Sequence, residues 1–294
     1  MEPGVHMRTP AELEDRFKHL TNLPTLPEIA SRLMTMVNDP LVSTSDVAAI
    51  IAQDPSLSSR VLRLSNSAFY GMPGKINTIN HAVVLLGFKI ITTIVLSLTV
   101  FDMFPEHKRS RRLFDRKAFW LHSLCCGLIA RRLAQHAKKR FLFDPEELFC
   151  AGLLHDIGKI VLEQYLHEEF HTALTVARDK AIPQYRAEME CLGFSHATVA
   201  EWLTAGWGLP AQISRALAKH HEPEDAHQLI DSAGVCHVAD WLCYSLGIVI
   251  DTTYQAPECD DSIIERLGCT PEFLDDLRTG IQQELESSSL FVPA

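Results

Sequence analysis

The stretch Ala151-Gly-Leu-Leu-His-Asp-Ile-Gly-Lys-Ile160 decides how this chain is read. Around it, Leu148, Phe149, Leu153, Leu154, Ile157, Ile160, Val161 and Leu162 have the density and spacing of a buried helix, which predicts one helix from Pro145 to Tyr165. Yet its middle carries a histidine, an aspartate and a lysine. Buried ionisable groups are costly unless they are paired or bound to a metal. Either His155, Asp156 and Lys159 lie on an exposed stripe, or the rest of the chain supplies partners.

Outward from this stretch the chain reads as helical almost throughout, so the expected fold class is all-α. Asn38-Asp39-Pro40 ends one helix, Ser43-Thr-Ser-Asp46 caps the next, and Asp54-Pro55 opens another. Tyr70-Gly-Met-Pro-Gly74 is a loop, and Ile79 to Phe104 is one long helix or two broken near Gly87. Further helices are predicted from about Asp115 to Ala137, Ser195 to Ala205, Pro210 to His220 and Leu229 to Ser245, with a small peripheral helix from Pro271 to Leu285 in an acidic tail. Strands are hard to find, and the best candidate is the β-branched run Ile248-Val-Ile250. The charged run Glu106-His-Lys-Arg-Ser-Arg-Arg112 lacks an apolar period and marks a domain boundary. The division is an extension over 1–20, an N-terminal helical subdomain over 21–112, a helical core over 113–250 and a tail over 251–294.

The bulk composition narrows the function. Of 294 residues, 47% are apolar and 22% charged, as in an ordinary soluble globular protein. A net charge of −10 argues against DNA binding by the chain as a whole. The eight cysteines include one close pair, Cys125-Cys126, and no C-x-x-C, which reads as reduced core thiols of a cytoplasmic protein. No charged-then-apolar leader is visible at the start. Ala82 to Phe101 is nearly long enough to span a bilayer, but Lys89 near its middle favours a buried helix of a soluble core, so no membrane partner is expected.

Candidates to partner the His-Asp pair are spread along the chain. His122 sits in the apolar segment Ala118-Phe-Trp-Leu-His-Ser123, His196 follows a plausible cap at Ser195, His220 and His221 end a helix, and Asp240 stands among Val235-Cys-His-Val-Ala-Asp-Trp-Leu242. Each alone is more often a hydrogen-bonded core or surface residue. Together His122, His155, Asp156, His196, His220, His221 and Asp240 are seven imidazole and carboxylate donors on different predicted helices, and bundles build metal sites by such convergence. Mixed nitrogen and oxygen donors suit iron, manganese, zinc or nickel better than magnesium or calcium. Two ions bridged by a carboxylate would use this many ligands. The basic segments Lys108 to Lys117 and Arg131 to Arg140 could attract an anionic nucleotide, although a solvated helix face is the plainer reading.

The order His122, His155-Asp156, Asp240 resembles the HD superfamily of metal-dependent phosphohydrolases. Leu23-Pro-Thr-Leu-Pro27, Asp54-Pro-Ser-Leu57, Leu64-Ser-Asn-Ser-Ala-Phe-Tyr-Gly71, Ala82-Val-Val-Leu-Leu-Gly87 and Trp207-Gly-Leu-Pro210 are similar to the HDOD domain, a bacterial signalling relative of that fold. The resemblance implies an N-terminal helical subdomain packed on an HD-type helical core, with a regulatory role and a signalling protein partner or a nucleotide ligand. It also implies a first metal held by His122, His155, Asp156 and Asp240. Asp156 would bridge to a second metal on His196, His220 and His221, with iron or manganese preferred. Catalysis, if present, would use Asp156 and Lys159, the latter beside a phosphate or the attacking water. The second ligand set resembles the HD-GYP phosphodiesterases of cyclic di-GMP, but Glu222-Pro-Glu-Asp-Ala-His-Gln228 lacks the Gly-Tyr-Pro element, and Ala118 stands where some relatives carry a glutamate for a third ion.

Overall fold

The computed structural model describes residues 11–13, 15, 24–37, 39–66, 70, 74–104, 114–137, 141–223, 230–248 and 255–287. Among them no strand occurs and the fold is all-α. The first five long helices are α1 (Glu28–Met36), α2 (Thr44–Ile51), α3 (Pro55–Ser65), α4 (Ile79–Leu86) and α5 (Phe88–Asp102). Their starts follow from capping chemistry. The Ser43 hydroxyl accepts the Asp46 N–H while the Asp46 carboxylate accepts the Ser43 N–H, a reciprocal box. Asp54 caps α3 ahead of Pro55, and Thr78 caps α4. Gly87, at φ 88, turns the chain between α4 and α5, so the run that approached membrane-spanning length is two helices. Among the described residues no helix is long and apolar enough to cross a membrane.

The second group comprises α6 (Arg116–Ala137), α7 (Pro145–Leu154), α8 (Ile157–Tyr165), α9 (His167–Lys180), α10 (Gln184–Leu192), α11 (His196–Thr204), α12 (Ala211–Lys219), α13 (Ser232–Ser245), α14 (Asp261–Leu267) and α15 (Pro271–Ser287). α6 and α7 form the most extensive helix pair, and glycine makes it possible. A Cβ on Gly152 would lie 2.7 Å from the Cys126 carbonyl oxygen. α13 packs across both, α12 packs on α7 and α13, and α11 packs on α8 and α12. α5 buries Ile91, Ile94, Val95 and Val100 and touches α1, α3 and α4 as well as α7, so one apolar cluster runs from Leu13 to Ile281.

One prediction is corrected. Pro145 to Tyr165 is two helices, broken at His155-Asp156, with the Lys159 N–H donating to the Asp156 carbonyl at 2.8 Å across the turn. In a continuous helix adjacent side chains diverge by about 100°. The turn, with Asp156 at φ −94 and ψ 8, lets both face one point. The sequence reading also passed over α9 and α10. Ile248 is not in a strand, and Val249 and Ile250 lie outside the described residues, as do the charged run 106–112 and most of the 70–74 loop.

The His155-Asp156 turn is held against α11 by a second glycine. A Cβ on Gly158 would lie 1.9 Å from the His196 carbonyl oxygen and 3.1 Å from the Ala200 nitrogen. Alanine is about 1 kcal/mol more favourable than glycine inside a helix. Overpacking against backbone that cannot swing aside costs about 1–3 kcal/mol or more, so the clash wins. Gly158→Ala is expected to destabilise the chain by roughly 1–2 kcal/mol net in urea unfolding. A variant as stable as the parent would show that α8 and α11 can separate freely.

Candidate metal centre

Five helices and one turn deliver the seven donors. His122 comes from the middle of α6, His155 ends α7, Asp156 forms the turn, His196 opens α11, His220 and His221 follow α12, and Asp240 lies on α13. His122, His155, Asp156, His196, His220 and Asp240 are at most 3% exposed, and His221 is half-buried. All seven sequence-predicted donors therefore come together, in two groups: Asp156, His196, His220 and His221, and His122, His155 and Asp240, each with its ligand atoms within 4.8 Å of one another.

The hydrogen bonds fix which nitrogen faces inward. Nδ1 of His122 donates to the Ile248 carbonyl at 2.9 Å, that of His155 to Gly152 at 2.7 Å, and that of His220 to the Leu217 and Ala216 carbonyls at 3.1 and 3.2 Å. Nδ1 of His196 donates to the Glu188 carboxylate at 2.6 Å. A carbonyl or carboxylate only accepts, so each Nδ1 carries the proton and each Nε2 points into the site. Metal-ligating histidines use their second nitrogen in this way, which fixes tautomer and ring orientation.

Asp156 stands between the groups and turns one oxygen to each. Oδ2 lies 3.3 Å from His155 Nε2 and 3.6 Å from His122 Nε2. Oδ1 lies 3.1 Å from His196 Nε2 and 3.8 Å from His220 Nε2. Asp240 Oδ1 is 3.1 Å from His122 Nε2, and His221 Nε2 is 2.8 Å from His196 Nε2. Despite this crowding, Nε2 of His122, His155 and His220, Oδ1 of Asp156 and Oδ1 of Asp240 make no hydrogen bond although buried. Buried polar groups left unmatched are costly. Lone pairs aimed at common points are what a cation would satisfy, so the residues present fit bound metal. Packing residues would not need this arrangement.

Charge follows the same logic. Burial raises the Asp156 carboxyl, but His155 and Lys159 outweigh it and hold it well below the usual range. Burial likewise raises Asp240, and the neighbouring imidazoles of His122 and His155 bring it down to about 2. Burial, reinforced by neighbouring imidazoles, keeps His220 and His221 well below their ordinary value and so neutral. Burial also lowers His155 and His196, but the Asp156 charge lifts the first and the Glu188 charge the second above the ordinary value. A bound cation would take over the balancing role of those protons.

Several positioning residues escaped the sequence reading. Glu188, fully buried on α10, accepts both the ring Nδ1–H and the backbone N–H (2.7 Å) of His196, and its other oxygen accepts from Gln184 at 2.9 Å. His237 Nδ1 donates to the His220 carbonyl at 2.8 Å. Tyr185 stacks on His221, with centroids 4.3 Å apart. Lys159, which the sequence reading already places beside the site, is buried as well and donates to Asp156 Oδ2 at 2.6 Å. Beside His196 and His221 lies a cavity of only about 10 Å³, lined also by Lys159, Gln184, Tyr185, Tyr244, Gln255 and Pro257. Of the basic segments, Arg131 pairs with Glu146 at 2.8 Å, and residues 108–113 and 138–140 lie outside the described residues.

Comparison with known proteins agrees with this fold. A structure of an HDOD domain protein from Geobacter sulfurreducens is similar at 26% identity, covering 96% of this chain and 95% of that one, with a TM-score of 0.72. A candidate phosphohydrolase from Shewanella amazonensis is similar at 25% identity, covering 97% of both chains, again with a TM-score of 0.72. An uncharacterized protein of Treponema pallidum (strain Nichols) is 24% identical over 232 residues, 78% of this chain, and the chain spans 43% of that relative's length. The sequence profile of the HDOD domain matches residues 23–223, most of the chain. The chain belongs to the HDOD domain family.

Proposed function

We propose that this chain is an HDOD regulatory module built around two transition-metal ions. The observation that carries the reading is the set of unmatched buried donors on both sides of Asp156. His122, His155 and Asp240, with Asp156 Oδ2, would hold one ion. His196, His220 and His221, with Asp156 Oδ1, would hold the other. Iron or manganese is preferred for this donor set, with zinc or nickel as alternatives. When bound, such a pair polarises a phosphate or a coordinated water. The residues over the site serve to close it: a cavity of about 10 Å³ has room for about one water, whereas small-ligand sites span about 300–1,000 Å³. That closure favours holding ions over turning over a nucleotide. In this reading residues 113–250 form the metal-holding core, residues 21–112 the helical subdomain that meets a signalling protein partner, and neither DNA nor membrane is a partner. All eight cysteines are free, which supports a reducing cytoplasm.

The second reading is a metal-dependent phosphohydrolase acting on a nucleotide or cyclic dinucleotide. Its specific support is Lys159, an ammonium fixed on Asp156 where it could also meet a phosphate, together with the description of the similar Shewanella protein. Here Lys159 and Asp156 would be catalytic, and Tyr185 and Gln255 would have to move aside.

Two measurements decide. Elemental analysis of protein purified without added metal should give about two transition-metal ions per chain, consistent with a carboxylate-bridged pair. Asp156→Ala should lose most of both, while Asp240→Ala should lose chiefly one. Parent-level metal in Asp156→Ala would defeat the bridged pair. Turnover of cyclic dinucleotides, nucleotides and a generic phosphodiester with manganese or iron(II) should be no greater for the parent than for His155→Ala. Turnover that His155→Ala abolishes would establish the second reading.

A further inference from the structure

A separate cluster lies at the far end of α8. Glu163 stands seven residues beyond Asp156, roughly 10 Å along the helix axis. Between α8 and α9 the chain bends at Leu166 (φ −131, ψ 43). Its bonding continues across the bend: the Leu166 N–H donates to the Leu162 carbonyl and the Phe170 N–H to the Leu166 carbonyl, both at 2.8 Å. Glu163, His167 and His171, spaced four apart, therefore still stack on one face. His167 Nδ1 is 3.1 Å from Glu163 Oε1, and His171 Nε2 is 2.9 Å from Glu163 Oε2. The two rings lie 4.1 Å apart at 38°. One ligand atom from each of the three residues falls within 4.8 Å of the others. The carboxylate is 6% exposed and the imidazoles 26% and 16%, so the acid roots the cluster in the protein while the rings reach solvent.

We propose that Glu163, His167 and His171 form an independent site for a single divalent transition-metal ion, of which zinc is the test case. Two imidazoles select for such an ion over magnesium or calcium. Two nitrogens and one carboxylate with an exposed side make a three-ligand site that leaves a position open to water. The existing contacts already hold the three groups together, so little ordering remains to oppose binding. None of the three belongs to the centre around Asp156, and the ring edges offer an ion a direct path from solvent. The competing role is purely structural: two imidazoles donating to one carboxylate.

Zinc titration by calorimetry, on the full chain carrying Asp156→Ala, separates these roles because that change removes the bridge of the other centre. One zinc ion per chain is expected to bind, and His167→Gln or His171→Gln, added singly, should each weaken it about tenfold or more. Glutamine keeps an N–H donor for Glu163 but offers no imidazole, so circular dichroism and melting should match the background variant. Should Asp156→Ala not fold, the otherwise unaltered chain saturated with zinc and desalted should carry one zinc equivalent beyond the ions of the Asp156 centre, and the same glutamine changes must remove that equivalent by elemental analysis. Zinc binding that both glutamine variants retain at full strength, or a background variant that binds no zinc, would overturn the proposal. Because the readout excludes the Asp156 centre, its failure leaves the bridged pair untouched.

Discussion

A fully buried carboxylate sets the terms for this molecule. Asp156 is held ionised in an apolar interior, and a charge there is tolerated only when surrounded by compensating groups. The surrounding groups arrive from separate helices: Lys159 from α8, His122 from α6, His155 from the end of α7, His196 from the start of α11 and His220 from the end of α12. Helix ends matter because they are where the chain can change direction. The break between α7 and α8 gives up one stretch of continuous helix so that His155 and Asp156 can address the same point.

The layer behind those groups is as specific as the layer in front. Every inward-facing Nε2 of His122, His155, His196 and His220 has an Nδ1 tied to a carbonyl or to Glu188. Rotating any of these rings would strand a buried N–H, so orientation is enforced from behind. Glu188 does this most completely, since it also binds the backbone N–H at the start of α11 and thereby places the whole first turn.

Much of this was legible in the sequence, for identifiable reasons. Caps at Ser43 and Asp54 and the 3.6-residue spacing of apolar positions are local signals, and helices grow from local signals. The seven donors stood out because imidazoles and acids are chemically conspicuous in apolar helices. The break at His155-Asp156 was not legible, because Leu-Leu-His-Asp-Ile has ordinary helical character and the turn is imposed by partners more than thirty residues away in sequence, such as His122 and His196. Glu188 and Gln184 lie in a polar stretch of the kind that usually faces water, and only the packed fold reveals their burial. α9 is a different case: Phe170, Ala173, Leu174 and Ala177 are buried at helical spacing, so its pattern was present but crowded by charges. The same charges hid Glu163, His167 and His171.

α5 has a consequence for communication. It is lined by buried side chains along most of its length and is wedged between α1, α3 and α4 on one side and α7 on the other. His155 terminates α7, whose backbone at Gly152 is pressed directly onto α6. Because α7 is pressed this closely on α6, a rearrangement at its tip would bear on the flank on which α5 rests. The amino-terminal helices are thus mechanically in series with the polar centre, as a pointer is with the spindle that turns it.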